Sequence, residues 1–309
     1  MRSMQTSMLS STSDSHSRPQ FVDVHAHANF AAYDADRDAV IRHALDAGVW
    51  MMNVGTQKDT STSAVALAGQ YEQGVYATVA IHPVHTCASH HDEKEFGSGE
   101  TGKSFVTKGE VFDPAVYRAL AADPKVVAIG ECGLDYFHLD EQSLKTQKEV
   151  FVRHIELANE LGKPLMLHVR DGAKMGTGNT LGGSAAPISA YADAYELLKQ
   201  HAKVKGNVHF FAGTWEEAQK FFELGFTISF TGVITFAKEY AEVVRKAPLE
   251  MIHAETDCPY VTPAPYRGKR NEPAHVREVV KKIAEIRGED FEKVRAQLVE
   301  NAVRVFGLK

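Results

Sequence analysis

Short runs of β-branched and aromatic residues alternate with longer amphipathic stretches along this chain, and this alternation constrains the fold more than any other feature. The apolar runs, which we predict to be strands, are Phe21–Val24, Val49–Val54, Val75–Ile81, Val126–Gly130, Pro164–Val169, Asn207–Phe211, Phe226–Phe230 and Met251–Ala254. The intervening segments, which we predict to be helices, are 35–47, 59–73, 114–122, 141–162, 191–203, 214–224, 238–247 and 274–287. Strands that alternate with helices form parallel βαβ units, and eight such units close most simply into a (β/α)8 TIM barrel.

The length of 309 residues suits one such barrel, which we assign to 21–309, with an extra C-terminal helix at about 290–306 packed outside it. Residues 1–20 are Ser-rich and lack an apolar core, so we expect a disordered tail or an addition from cloning, not a secretory signal. Two predicted βα loops, 82–112 and 170–190, are long enough to be either functional lids or surface insertions.

Overall composition excludes several classes of protein. A net charge of -6 argues against a broad basic groove for duplex DNA but leaves room for a local phosphate site. The three cysteines are too few for a disulfide framework, which favours a cytoplasmic location. No apolar stretch reaches 18 residues, so we expect no membrane span and no membrane partner.

Six side chains that can bind metal ions stand at or just after the ends of predicted strands, where the active sites of α/β barrels lie. They are His25, His27, Glu131, His168, His209 and Asp257. Imidazole and carboxylate groups suit Zn, Mn or Mg, and six of them suffice for two divalent metal ions. Alternation along a strand points His25 and His27 to one face, where they can hold one ion. His168 and His209 would complete the second ion.

Glu131 is the residue that we expect to bridge the two ions, because a carboxylate has two oxygens and no lysine ends strand 4 or strand 5. It lies between Gly130 and Gly133, which would let the backbone approach a metal closely. The alternative to a bridging role is that Glu131 is an exposed acidic residue in a loop.

Asp257 follows the last strand and could have two catalytic roles. It can bind the first ion, and it can accept a proton from an attacking water. A turn or helix-capping role before Pro259 is the alternative. Glu255 precedes Asp257 by two residues and could share its face.

Several groups near these strand ends could contact a phosphate. They are His82, His85, Arg170, Arg267, Lys269, Arg270 and Asn271. Arginine suits phosphate through bidentate contacts, although a solvated loop or local packing would explain the same residues. Tyr136 and Phe137 could stack on a terminal base or pack in the core.

Residues 97–104 read GSGETGKS, which matches the phosphate-binding pattern G-x-x-x-x-G-K-[ST]. A phosphate-binding loop needs a buried strand before it and a helix after it. Here the preceding residues are polar, and Gly109 and Pro114 follow soon after. We therefore expect a flexible lid, in which Lys103 and Lys108 could touch phosphate, in preference to a nucleotide site.

The segments DVHAH, IHPVH, IGECGLDY, LHVR, HFFAG, ETDCPYVTP and RGKRNEPAHV resemble the TatD family of metal-dependent deoxyribonucleases, from about 21 to 306. This resemblance implies hydrolysis of DNA, typically from a 3′ end, with divalent metal. Matched motif by motif, it implies one ion on His25, His27, Glu131 and Asp257, and another on Glu131, His168 and His209. Phe210, Ala212 and Ala80 depart from the usual family pattern, which bears on substrate fit.

The sequence thus predicts a hydrolase that cleaves DNA phosphodiesters, with Asp257 and Glu131 as catalytic residues and with His82, Arg170 and Arg267 in contact with the substrate. Single-stranded DNA or a 3′ end is the expected partner. One alternative is a hydrolase of esters, lactones or aminoacyl esters on the same barrel. Another is a non-catalytic nucleotide- or nucleic-acid-binding protein that uses the GSGETGKS loop.

Overall fold

Eight parallel strands form the wall of a nearly closed barrel, as the sequence predicts. In the computed structural model they are β1 (Phe21–Ala26), β2 (Val49–Val54), β3 (Val75–Val79), β4 (Val126–Asp135), β5 (Leu165–Arg170), β6 (Gly206–His209), β7 (Thr227–Phe230) and β8 (Ile252–Ala254). Each strand pairs with the next in this order. An antiparallel pair of two-residue strands, Ser89–His90 and Val106–Thr107, lies in the first long loop.

The structure describes residues 18–90, 93–96, 106–137, 141–172 and 188–309. The GSGETGKS segment with Lys103 lies outside the described residues, as do most of the predicted tail and parts of the two long loops. The assignment of one domain to 21–309 stays a prediction.

Ten α-helices lie between and after the strands in the described residues, most of them on the outside of the barrel. They are α1 (Arg37–Asp46), α2 (Lys58–Ala68), α3 (Glu93–Phe96), α4 (Pro114–Ala121), α5 (Glu141–Leu161), α6 (Ala190–His201), α7 (Trp215–Glu223), α8 (Ala241–Lys246), α9 (Val276–Arg287) and α10 (Phe291–Phe306). Side-chain caps fix several starts; for example, the Thr214 hydroxyl accepts a hydrogen bond from the Glu217 amide at the start of α7. Within the described residues, no helix combines the length and the apolar character needed to cross a membrane.

Strand β4 is longer than the sequence indicates, because it continues through its glycines to Asp135. A Cβ on Gly133 would lie 2.1 Å from the carbonyl oxygen of His168, and one on Gly130 would lie 2.4 Å from the carbonyl oxygen of Met166. The space beside both glycines is therefore filled by β5. These glycines thus admit the neighbouring strand, and the expectation that they let the backbone approach a metal closely stays a prediction.

The apolar core has two main parts, one between the strands and the helices and one inside the barrel. The inner part contains Val22, Val24, Trp50, Met52, Tyr76, Val127, Ala128 and Met166 from the strands, and Val299, Ala302, Phe306 and Leu308 from the C-terminal segment. Most of these strand residues lie at N-terminal ends, so α10 covers that opening of the barrel in place of the expected position outside the wall. Asn301 fixes α10 by donating hydrogen bonds to the carbonyls of Leu249 and Ile252, at 2.8 and 2.9 Å.

The barrel closes between β8 and β1 through the segment that follows β8. One bridge joins Ala26 to Cys258. The buried carboxylate of Asp23 accepts hydrogen bonds from the amide of Thr256, at 2.8 Å, and from its hydroxyl, at 2.5 Å. Side-chain bonds therefore supplement a sparse strand ladder at this seam, and they fix the loop that enters the C-terminal face of the barrel.

Candidate metal centre

Three side chains converge at the C-terminal ends of β1 and β8. The Nε2 atoms of His25 and His27 lie 3.2 Å apart. The Oδ1 atom of Asp257 lies 3.4 Å from Nε2 of His27 and 3.9 Å from that of His25. The amide of Asp257 donates to the carbonyl of His25, which ties the two elements together. These three groups form the first donor set.

Two more histidines form the second donor set with Glu131. The Nδ1 atom of His168, on β5, and the Nε2 atom of His209, on β6, lie 3.3 Å apart. Both approach the Oε1 atom of Glu131, at 2.8 and 2.7 Å respectively.

Glu131 joins the two donor sets. Its Oε1 atom faces His168 and His209, whereas its Oε2 atom lies 3.3 Å from Nε2 of His25 and 3.9 Å from Nε2 of His27. The residue is 4% exposed, so these contacts are sheltered from solvent. One oxygen toward each set is the arrangement that a bridging carboxylate requires.

The spacing of the donor atoms fits metal binding. Ligands about 2.0–2.1 Å from one tetrahedral ion lie about 3.3 Å from one another. In the first set with Oε2 of Glu131, the recorded separations run from 3.2 to 3.9 Å. Buried nitrogen and oxygen atoms this close, in the chemical combination that Zn, Mn and Mg accept, suit the coordination of a divalent cation.

Carboxylates stand behind both histidines of the second set. Oδ2 of Asp135 lies 2.9 Å from Nε2 of His168, and Oε1 of Glu255 lies 3.6 Å from Nδ1 of His209. Glu255 also accepts hydrogen bonds from the Phe210 amide and the Ser229 hydroxyl, at 2.6 and 2.7 Å. Because both of its oxygens accept hydrogen bonds in this way, Glu255 is held in place beside Nδ1 of His209.

The sequence does not lead us to predict Asp135 at the site, and it suggests Glu255 only as a neighbour of Asp257, although a signal was present for each. Asp135 lies four residues after Glu131 on the same strand, so the two-residue period of a strand would place both on one side. Glu255 lies two residues before Asp257. The carboxylate–histidine–metal arrangement is common in metalloproteins and would have justified looking for both.

The neighbouring imidazoles favour the ionised forms of Glu131 and Asp257. Burial opposes the charge on Glu131, but the neighbouring imidazoles, His209 foremost, hold its pKa well below the usual value. Burial also opposes the charge on Asp257, whose pKa the contact with His27 lowers. Burial disfavours a protonated His209, yet Glu131 raises its pKa well above the usual value. A divalent cation would replace such protons, because imidazole binds metal in its neutral form.

His82, in the loop after β3, borders the second donor set. Its Nε2 atom lies 3.4 Å from Oε1 of Glu131, and its ring packs edge-on against His168 with centroids 4.2 Å apart. Burial, followed by the charge of His168, lowers the pKa of His82 to about 4. His85 instead pairs with Glu95 of α3, at 3.3 Å. His82 thus lies where it can contact a substrate or a metal. The contact with Glu95 instead holds His85 in the loop.

The basic residues near the strand ends divide into two kinds. Arg170 and Arg267 are exposed and stack on the rings of Phe137 and Phe236. Arg270, in contrast, forms a bidentate ion pair with Asp36, at 2.9 and 2.7 Å.

Two other residues of the predicted substrate surface are engaged within the protein. Asn271 is buried and donates to the carbonyls of Thr256 and Tyr260. The hydroxyl of buried Tyr136 donates to Asp193, at 2.6 Å. With Arg270 in its ion pair, the structure does not support phosphate contacts by Arg270 and Asn271 or base stacking by Tyr136, and it leaves Arg170 and Arg267 accessible.

A parallel barrel with buried histidine and carboxylate donors at its C-terminal face defines the class of metal-dependent hydrolases on α/β barrels. Residues 22–307 match the family model described as TatD related DNase, and the chain belongs to this family. The prediction of a TatD-like metal-dependent hydrolase is confirmed.

Similar proteins support the same class. The chain is 35% identical over 289 residues to the uncharacterized metal-dependent hydrolase YabD of Bacillus subtilis, covering 92% of this chain and 98% of that protein. It is 32% identical over 297 residues to the 3′-5′ ssDNA/RNA exonuclease TatD of Shigella flexneri, covering 93% and 98%. Among solved structures, a TatD homologue from Escherichia coli, YJJV, superposes with a TM-score of 0.73 at 24% identity, covering 94% and 99%, which supports the fold.

Proposed function

We propose that this protein hydrolyses phosphodiester bonds of single-stranded DNA from the 3′ end, with two divalent metal ions. The observation that carries the proposal is the carboxylate of Glu131, which turns one oxygen toward each of two donor sets. Two ions held side by side suit the in-line displacement at a phosphodiester.

The choice of substrate rests on the relatives and on the rim of the site. A relative at 32% identity is named as a 3′-5′ ssDNA/RNA exonuclease. Arg170 and Arg267 stay exposed near the strand ends, where they can contact a phosphate backbone. Contacts to phosphate carry no sequence information, as an exonuclease of broad specificity requires.

The donor sets assign each residue a role. His25, His27, Asp257 and Glu131 would hold one ion, and His168, His209 and Glu131 would hold the other. Mg, Mn and Zn are all compatible with these donors.

The chemistry divides between the ions and the side chains. Bound divalent ions would supply Lewis acidity to the phosphate and to the attacking water. Asp257, whose lowered pKa keeps it ionised, accepts the proton of that water. His82, largely uncharged because its pKa is about 4, lies beside Glu131, where it contacts an oxygen of the phosphate.

We also propose a cytoplasmic location. All three cysteines, Cys87, Cys132 and Cys258, are free thiols, and burial raises the pKa of Cys258 to about 12. Free thiols suit a reducing compartment.

The test is the release of label from a 3′-labelled single-stranded oligodeoxynucleotide with Mg²⁺ or Mn²⁺. We expect stepwise release by the wild type, complete inhibition by EDTA, and a rate at least about 1,000-fold lower for Glu131→Gln, because the amide keeps the shape but loses the charge between the donor sets. Glu285→Gln, on the exposed surface of α9, is the matched control and should behave as the wild type.

Equal release by the wild type and Glu131→Gln would contradict the proposal, since the site would then not be responsible. Metal-dependent turnover of a carboxylic ester with the oligonucleotide intact would also contradict it and would favour the ester-cleaving alternative. Release from RNA with none from DNA would correct the substrate and keep the site.

A further inference from the structure

Two arginine–phenylalanine pairs stand on the rim of the barrel around the metal centre. We propose that they are stacking platforms for two unpaired bases of a single-stranded nucleic acid, an inference that rests on the proposed function. The first platform consists of Phe137 and Arg170, and the second consists of Phe236 and Arg267.

The first platform is linked to the second donor set through Asp135. The Arg170 guanidinium lies 4.0 Å from the centre of the Phe137 ring. The amide of Phe137 donates to Oδ1 of Asp135, at 2.9 Å, and the other oxygen of that carboxylate holds His168. A base on this platform would therefore lie beside the donors that we assign to one metal ion.

The second platform has the same composition in other loops. Phe236 follows β7, and Arg267 lies in the segment after β8 with its guanidinium 3.9 Å from the centre of the Phe236 ring. The same guanidinium donates to the carbonyl of Thr262, at 3.1 Å, which fixes its orientation.

Both aromatic rings are partly exposed. Phe137 is 37% exposed and Phe236 is 47% exposed, whereas the other phenylalanines with described side chains are more buried. An exposed ring with a cation against it offers a base both stacking and cation–π contact.

The positive charges of the two platform arginines are also not balanced by a nearby carboxylate among the described residues. Within the described ranges, no carboxylate lies within 4.0 Å of the guanidinium of Arg170 or Arg267, whereas Arg270 is neutralised by Asp36. On a chain with a net charge of -6, two unneutralised cations beside the site favour a polyanion at this position.

The distance between the two platforms favours single-stranded over double-stranded nucleic acid. The first adjoins β4 and β5 and the second adjoins β7 and β8, three strands further around the barrel, which is about 14 Å along the rim. Stacked bases are about 3.4 Å apart. A strand held at both platforms must have its bases separated from one another, which a duplex does not allow without melting.

The experiment measures binding and cleavage separately. Fluorescence anisotropy in EDTA gives the Kd for a labelled ten-nucleotide oligothymidylate and for an abasic oligomer of the same length. We expect Phe137→Ala and Phe236→Ala each to raise the Kd for the oligothymidylate about 5- to 100-fold and to change that for the abasic oligomer less than about twofold. Phe137→Tyr and Phe236→Tyr should restore binding. Val111→Ala, at a side chain 84% exposed, is the control.

Cleavage of the same oligothymidylate with Mn²⁺ separates the two proposals. Cleavage by the wild type with an unchanged Kd in both alanine variants would overturn the platforms and leave the nuclease function intact. A raised Kd without cleavage by the wild type would support the platforms and overturn the nuclease function. Equal loss of affinity for the abasic oligomer, or no binding by any protein, would also overturn the platforms.

Discussion

At the scale of the residue, the second donor set depends on groups that do not themselves face the proposed metal. Asp135 holds the far nitrogen of His168, and this contact brings the pKa of Asp135 to about 2 although burial opposes its charge. An ionised carboxylate at this position fixes which nitrogen of His168 carries the proton. The other nitrogen then stays available toward Glu131.

We predict that Asp135→Asn weakens divalent metal binding about 10- to 100-fold, because the amide keeps the volume but loses the charge that fixes the imidazole. Isothermal titration with Mn²⁺ or Zn²⁺ measures the effect, and a thermal melt without metal checks that the fold is unchanged. Asp46→Asn, exposed at the end of α1, is the control. Affinity equal to that of the wild type would show that Asp135 has no part in the site.

The six donor residues could be predicted from the sequence, because each lies close to the end of an apolar run and strand ends meet in a barrel. Their backing groups and the engagement of Arg270 and Asn271 could not. A charged loop looks the same in a sequence whether it is solvated or paired. Only the approach of α1 to the loop after β8 gives Arg270 its partner, Asp36.

At the scale of the element, the pairing of β4 with β5 limits what the site can tolerate. Gly133 has a φ of +143° and opposes His168 in the strand register. A side chain here would meet the backbone of a residue in the second donor set. The glycine therefore serves both the sheet and the position of His168.

We expect Gly133→Ala to lower the free energy of unfolding by about 3 kcal/mol, because the new Cβ would lie 2.1 Å from the carbonyl oxygen of His168 in an unfavourable backbone conformation. Gly288→Ala is the matched control. It also has a positive φ, of +64°, but nothing lies within 4 Å of the new Cβ, so its cost should be about 1 kcal/mol. Urea unfolding of both variants measures these losses. An equal loss of unfolding free energy in the two variants would show that the clash at Gly133 does not occur.

Strand and helix positions could be predicted well from periodicity, whereas some ends and packing surfaces could not. In the sequence, Gly130 and Gly133 indicate the end of a strand. Strand β4 nevertheless continues through them, because β5 fills the space beside them. Helix α10 has an ordinary amphipathic pattern, which does not say that its partner is the open end of a barrel.

At the scale of the whole molecule, buried neutral histidines make stability depend on pH. His154 on α5 accepts a hydrogen bond from the amide of Ile81 and contacts the carbonyl of Val150, at 3.1 and 2.8 Å. Burial lowers its pKa to about 3. The unfolded chain binds this proton near pH 6.5, so the stabilisation is present above that pH and is lost as the pH falls toward 3.

When the pH falls from 7 to 5, the unfolded chain binds a proton at His154 that the folded protein does not bind. We predict that this alone lowers the free energy of unfolding of the wild type by about 2 kcal/mol. His154→Gln should lose about 2 kcal/mol less than the wild type over the same interval, whatever its stability at pH 7. Urea unfolding at both pH values in EDTA gives the comparison. Identical losses for the two proteins would mean that His154 is protonated in the folded state.

The seam between β8 and β1 has a consequence for synthesis. Asp23 and Thr256, which close the ring, are 233 residues apart in the chain. His25, two residues after Asp23, and Asp257, directly after Thr256, belong to one donor set. Closing the ring and completing that donor set are thus the same event, and it cannot occur before Thr256 and Asp257 have been made. A ribosome-bound or truncated chain that ends before Ile252 would expose an open sheet edge and would lack a complete first set. Such a product would be prone to aggregate and would lack the complete metal centre on which the proposed activity depends.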